Sequence, residues 1–170
     1  MGTGVNISKY THTSAHFSSD RLYRYMLVRQ WEEYNASYLN CIMLNPSTAD
    51  ETVNDPTVER CERRARSMGF GGLVVTNLFA LRSTDPAALR LATDPVGPEN
   101  DRWLRYCASR ADMILCGWGN HGQLECRSTA VRRILFGTNF HILGLNKTGE
   151  PKHPLYVGYE VQPQLWVPKG

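Results

Sequence analysis

Four short runs in which almost every residue is apolar recur along the chain: YLNCIMLN (Tyr38 to Asn45), GLVVTNLFA (Gly72 to Ala80), DMILCGWG (Asp112 to Gly119) and FHILGLN (Phe140 to Asn146). Runs of this length without polar alternation read as strands buried on both faces, and parallel neighbours require crossover connections that helices supply. A fifth run, RLYRYMLVRQW (Arg21 to Trp31), mixes aromatic and β-branched residues with charges, the pattern of a half-exposed edge or near-edge strand. Helical signals fill the intervals. DPTVERCERRARSMGFG opens with Asp55 as N-cap and Pro56 at the first helical position, repeats apolar residues at Val58, Cys61, Ala65 and Met68, and stops at Gly69. TDPAALRL repeats the Asp-Pro start at Asp85 and Pro86. PENDRWLRYCASR turns Trp103, Leu104 and Cys107 inward, and GQLECRSTAVRRILF does the same with Leu124, Val131 and Leu135. This alternation predicts an α/β fold, a three-layer α/β/α sandwich with a mainly parallel central sheet.

At 170 residues and 42% hydrophobic content the chain can bury one sizeable core, so a single domain is expected over 21–170, after a polar, Ser/Thr-rich leader over 1–20. The net charge of +3 is a mild excess that neither demands nor excludes an anionic partner. Five cysteines, Cys41, Cys61, Cys107, Cys116 and Cys126, form no C-x-x-C pair and no close Cys/His grouping, so reduced, buried thiols are expected, with no metal and no cofactor. No apolar segment approaches the roughly 20 residues that cross a bilayer, and the first twenty residues lack the apolar core of a secretion signal. A cytoplasmic monomer without membrane contact is the resulting expectation.

In open parallel sheets ligands bind beyond the carboxyl ends of the strands. The first run delivers Asn45, Pro46, Ser47, Thr48 and Asp50 there, the second Asn77 and Arg82, the third Trp118, Asn120 and His121, and the last Lys147, Lys152 and His153. All should share one rim. Singly, most have a plain structural reading. Asn45-Pro46-Ser47 suits an Asx turn with proline fixing φ, Trp118 suits the core, His121 a solvated loop or helix cap, and Arg132 and Arg133 a solvated helix face. Asn77 is harder to explain that way. It sits inside a run that continues apolar through Leu78, Phe79 and Ala80, and a buried amide without partners costs about 1–3 kcal/mol. His153 has its backbone restrained by Pro154.

Taken in order, these segments resemble the uracil-DNA glycosylase superfamily. MLNPST is similar to its first motif, in the Asn-Pro version of the mismatch-specific branch, where the main uracil-specific branch has Asp-Pro-Tyr. GLVVTNLFALRST resembles the strand whose terminal asparagine reads the Watson–Crick edge of a flipped pyrimidine. ILCGWGNHGQ resembles the Leu-Trp-Gly segment that follows, and FHILGLNKTGEPKHPLYV the final strand and His-Pro loop. More closely, LNPSTAD, DPTVERC, TNLFALRSTDP, DPVGPEND, WGNHG and PKHPLY together resemble, over about Tyr23 to Val157, a bacterial and phage family catalogued as domain of unknown function 1643.

The superfamily resemblance implies a uracil-DNA glycosylase-like fold and a monofunctional DNA glycosylase that hydrolyses the N-glycosidic bond of a flipped base. Asn45 would position the attacking water, which its neutral amide cannot deprotonate, leaving Asp50 or Asp55 as the base. Asn77 would read the base edge and His153 would contact the carbonyl of the departing pyrimidine. Pro46, Ser47, Thr48, Phe79, Trp118 and His121 would complete the substrate pocket, with core packing the stronger reading for Phe79. Arg82, Lys147 and Lys152 would meet DNA phosphate, and either lysine would also suit leaving-group charge. Ser47 stands where the uracil-specific branch carries a bulky tyrosine that excludes 5-methylated bases. A 5-modified pyrimidine, such as a hydroxymethylated or glucosylated cytosine, is therefore the expected substrate, with defence against phage of modified genomes as a purpose by analogy. Two alternatives stay open: a non-catalytic reader of nucleic acid or modified bases, and an enzyme acting on free nucleosides or nucleotides. An iron–sulfur centre, found in some superfamily branches, has no support in the cysteine spacing.

Overall fold

The computed structural model describes residues 9–167, so residues 1–8 of the expected leader and 168–170 at the other end lie outside the described residues. Seven strands form one sheet: β1 (His12–Phe17), β2 (Arg24–Gln30), β3 (Tyr38–Met43), β4 (Gly72–Asn77), β5 (Met113–Cys116), β6 (Phe140–Ile142) and β7 (Gln164–Leu165). They lie in the order β1-β2-β4-β3-β5-β6-β7. The four apolar runs are the four central strands, and they are mutually parallel in the order β4-β3-β5-β6. The three outer strands pair antiparallel, which makes the sheet mixed, with a parallel centre. β2 is the near-edge strand and β1 covers it. Within the expected leader, HTSAHF becomes β1 because it pairs residue by residue with β2 and lays His16 against Trp103, ring centroids 4.3 Å apart.

Helices α1 (Pro56–Ser67), α2 (Ala87–Leu91), α3 (Asn100–Arg110) and α4 (Arg127–Ile134) make the crossovers. Side chains alternate along each strand, and the sheet consequently feeds two cores. Leu39, Cys41, Met43, Leu73, Val75 and Leu115 pack with Val58, Cys61 and Ala65 of α1. On the opposite face Ile42, Ile114 and Cys116 pack with Leu89, Leu104 and Val131 from α2, α3 and α4 and with Leu135, which caps α4. Helices on both faces of one sheet give the three layers.

Asp55 caps α1 as its sequence suggests, its Oδ1 accepting the Val58 N–H at 2.9 Å, and the helix ends before Gly69 in the left-handed region (φ +84°). The helix expected from Gly122 is broken: Leu124 is extended (φ −52°, ψ 127°), while Glu125 and Cys126 both take left-handed φ near +50°. α4 begins only at Arg127. The break lets buried Arg127 donate to the Leu78 carbonyl and pair with Asp101. It also leaves Cys126 exposed, against the expectation that all five thiols are buried; the other four are. Burial pushes the Cys107 thiol up to about 12.

The C-terminal segment has little regular structure and is held to α1 by two arginines. Arg60 donates to the carbonyls of Pro154 (3.2 Å) and Val157 (2.6 Å) and stacks over Tyr159. Arg64, buried, donates to those of Val161 (2.6 Å) and Gly158 (3.0 Å). The Pro154 and Gly158 carbonyls also accept the N–H groups of Val157 and Val161, but those of Val157 and Val161 meet no backbone donor among the described residues, so removing the arginines leaves these two unpaired. Arg64→Met is expected to lower stability by about 2–4 kcal/mol, read as a fall in the urea midpoint at unchanged slope; a shift below the resolution of the measurement would show that the strap is incidental.

Candidate functional site

The reversal of strand order in a parallel sheet opens a crevice at the carboxyl ends of the strands on either side. Here it falls between β3 and β5, and a cavity of about 670 Å³ lies there, within the usual range for small-molecule sites. Eight of the residues expected on the rim line it, Asn45, Ser47, Asn77, Trp118, Asn120, His121, Lys152 and His153, together with Asp55, the candidate base.

β3 ends at Met43 and the chain turns through Leu44 into Asn45-Pro46. Asn45 Nδ2 donates to the carbonyls of Ser83 (2.9 Å) and Pro46 (3.1 Å), tying this corner to the loop beyond β4. With the amide nitrogen so held, the acceptor Oδ1 receives no donor from any described residue. On the neighbouring strand, Asn77 is 1% exposed. Three other buried asparagines provide a comparison. Asn40 donates to Val74 and Thr76, Asn100 to the carbonyls of Asn77 and Leu78, and Asn54 is engaged at both ends. The Asn77 amide bonds to no described residue, and its Oδ1 is buried without a partner.

His153 enters from the far side. Its Nδ1 accepts the Leu155 N–H at 3.2 Å, which assigns the proton of the neutral ring to Nε2 and makes that nitrogen a donor. Desolvation lowers its pKa below the ordinary 6.5, opposed by the negative charge of Asp55. Close packing sets its position: a Cβ on Gly117, at the end of β5, would stand 2.8 Å from Pro154. Glycine is what allows the His-Pro loop to lie against the strand end. Trp118, next in the chain, is buried with its Nε1–H donated to Glu150, whose second oxygen accepts from Ser128. Gly122 lies against the indole, where a Cβ would overlap it. The tryptophan wall is thereby fixed from two sides.

Six expected site residues lie off the cavity. Asp50 spends its Oδ1 on the N–H groups of Thr52 and Val53, a turn that takes it out of reach and leaves Asp55 as the only carboxylate among the lining residues. Phe79 is wholly buried in the core shared with α3 and α4. Pro46 is buried behind the Asn45 corner, and Thr48 faces solvent. Arg82 donates to the Arg21 carbonyl and stacks on Phe17. Lys147 is exposed in the turn closed by Gly149 N–H to Asn146 carbonyl, whereas Lys152, five residues on, borders the cavity.

Several lining residues had no sequence signal. Thr57, Ser83 and Thr84 add hydroxyls, and Leu155 and Tyr156 stand at the border, Tyr156 85% exposed. Arg24 is the most unexpected. As the first residue of a half-exposed strand it reads as solvated, yet it is 2% exposed and lines the cavity. Among the described residues no group of three or more His, Cys, Asp or Glu is placed to hold a metal ion.

A family model described as "Protein of unknown function (DUF1643)" matches residues 24–155, a span that contains every cavity residue named above except Tyr156. No curated protein and no solved structure matches the chain.

The lowered pKa of His153 sets a direction for acid behaviour. The folded protein takes up this proton at lower pH than the unfolded chain, so the stability His153 lends is complete above pH 6.5 and is lost as pH falls from there toward the lowered value. An NMR titration of its ring should give a midpoint below 6.5 with Nε2 as the protonated nitrogen; a midpoint above 6.5 would overturn the assignment.

Proposed function

The chain belongs to the DUF1643 family, and from its site we propose that it is a DNA glycosylase with a uracil-DNA glycosylase-like fold, hydrolysing the N-glycosidic bond of a flipped, 5-modified pyrimidine. The observation that carries the reading is Asn77: a buried amide facing a cavity, with neither end bonded to a described residue, next to strand ends whose motifs resemble, in order, those of the superfamily. A base edge offers such an amide a donor and an acceptor together, offsetting the cost of stranding it.

The bond breaks through an oxocarbenium-like sugar while negative charge gathers on the departing base. On this reading the Nε2–H of His153 donates to the base carbonyl as that charge develops, and Lys152 adds a positive charge nearby. Asn45, its Nδ2 anchored, presents Oδ1 to orient water, and Asp55 accepts the proton. Ser47 lines the cavity where a tyrosine would fill it, giving room beside ring position 5. Arg82 and Lys147 lie outside, where phosphates of the flanking strand would run.

One observation favours a second reading, a non-catalytic modified-base reader. Asp55 already accepts from Val58 at 2.9 Å and, more weakly, from Ala49 at 3.4 Å, which ties the carboxylate to the backbone. Incubation with duplexes containing uracil, cytosine, 5-hydroxymethylcytosine or its glucosylated form, followed by mass spectrometry of released base, separates the readings. Release from the 5-modified duplexes is expected, reduced at least about 10²-fold by Asn77→Ala, His153→Ala or Asn45→Ala. Asp55→Ser should keep the helix cap, where Asp55→Ala costs about 1 kcal/mol, yet lose release. Preference for uracil would refute the pocket argument. Saturable binding without abasic sites would establish the reader.

A further inference from the structure

Arg24 owes its place to an irregularity in β2. His16 pairs with Met26 and the next residue, Phe17, with Arg24, so Tyr25 is an extra residue in the ladder. Such a bulge re-aims the side chains beyond it. Arg24 and Arg29, five apart, would face opposite sides of a regular strand. Instead both reach the loop after β3, Arg24 donating from Nη1 to the Ala49 carbonyl (2.8 Å) and Arg29 to Asn54, Asp50 and Val53.

Arg29 ends well satisfied; Arg24 does not. Its Nε is buried without a partner, and no ion pair among the described residues includes it. Burial draws its pKa down to about 10, the neighbouring guanidiniums of Arg82 and Arg29 add to that, and Asp55 and Asp50 oppose it. It therefore stays cationic at neutral pH. A buried cation lacking a bonded anion has its desolvation only partly compensated by more distant carboxylates. The N-terminus of α1 borders the same cavity. Asp55 caps the Val58 N–H, but the Thr57 N–H meets no acceptor among the described residues, and Thr57 lines the cavity. A planar guanidinium with free donors, a helix N-terminus and hydroxyls form a receptor for a tetrahedral oxyanion.

We infer that the Arg24 end of the cavity is a phosphate subsite, so that the ligand enters as a base together with its own phosphate. This deepens the proposed function and rests on the same cavity receiving a nucleotide. Phosphate can come from a DNA phosphodiester or a free nucleotide, and the two make different demands on the test.

Calorimetric titration of the whole protein decides it, with 5-hydroxymethyldeoxycytidine, its 5′-monophosphate, and a trinucleotide carrying that base with phosphodiester or neutral methylphosphonate links. The phosphate-bearing ligands should bind at least about tenfold tighter than their uncharged counterparts, with the gap closed in Arg24→Gln and partly kept in Arg24→Lys. A wider gap for the monophosphate identifies a free nucleotide as the source; a wider gap for the trinucleotide identifies DNA. Asn77→Ala should weaken nucleoside and nucleotide by the same factor and leave the gap. Inorganic phosphate alone should compete with the monophosphate on the wild-type protein, a measurement that does not depend on any variant folding. Equal affinities with and without phosphate, absent competition, or an Arg24→Gln loss shared equally by nucleoside and nucleotide would each overturn the subsite, the last by reducing Arg24 to a clamp on Ala49. A retained gap without base release would overturn the glycosylase reading alone.

Discussion

A hydrogen-bonding group taken from water must find a partner or cost about 1–3 kcal/mol, and this requirement organises both the scaffold and the cavity. Where irregular backbone is buried, guanidiniums satisfy it: Arg29 for the loop after β3, Arg60 and Arg64 for the C-terminal segment, Arg127 for the Leu78 carbonyl. Each fork reaches carbonyls that no strand can pair. Most of the remaining buried atoms without a partner belong to side chains that bond through another atom, such as Asn40 and Asn100. Arg24 Nε and Asn77 Oδ1 differ because both belong to residues lining the cavity, where a ligand can supply what the protein withholds.

The same contacts join stability to the site. α1 carries Asp55 and Thr57 at its start and Arg60 and Arg64 along its length, so one helix fixes both the loop after β3 and the strap behind His153. The Pro154 carbonyl held by Arg60 belongs to the residue whose ring rests on Gly117. His153 is consequently placed by two elements distant in the chain, and a slip of either would move the Nε2 donor. Trp118 is fixed in a comparable way, through Glu150 to Ser128 of α4. Packing of this kind holds the donors aimed at the cavity before any ligand enters.

The central strands and the start of α1 were legible because their signals are local. A continuous apolar run and an Asp-Pro cap carry the same meaning wherever they fold. β1 was hidden by its composition, since HTSAHF has too few apolar residues to announce a strand and becomes one through pairing with β2. The kink at Glu125 and Cys126 was equally silent, with no glycine or proline to mark it. At the site, Asn45, Asn77 and His153 could be read because they follow strands whose direction fixes the rim. Lys147 and Lys152 look equivalent in the sequence, and only the turn at Asn146–Gly149 separates them. Arg24 could not be found locally, because its burial depends on a ladder irregularity two strands wide.

Charge balance bears on how such a cavity would handle a glycosidic bond. Its lining holds two basic side chains, Arg24 and Lys152, against one carboxylate, Asp55, a bias that favours negative charge on a departing base and opposes positive charge on a sugar. A phosphate carried in with the nucleotide would reverse that second effect. Placed against Arg24 it would satisfy the buried guanidinium and bring negative charge close to the sugar as cationic character developed there. Asp55 then need not serve both as countercharge and as base, which suits a carboxylate already engaged with the α1 backbone. The reaction would draw its electrostatic complement partly from the substrate, and a base presented without its phosphate would find the cavity charged against its own transition state.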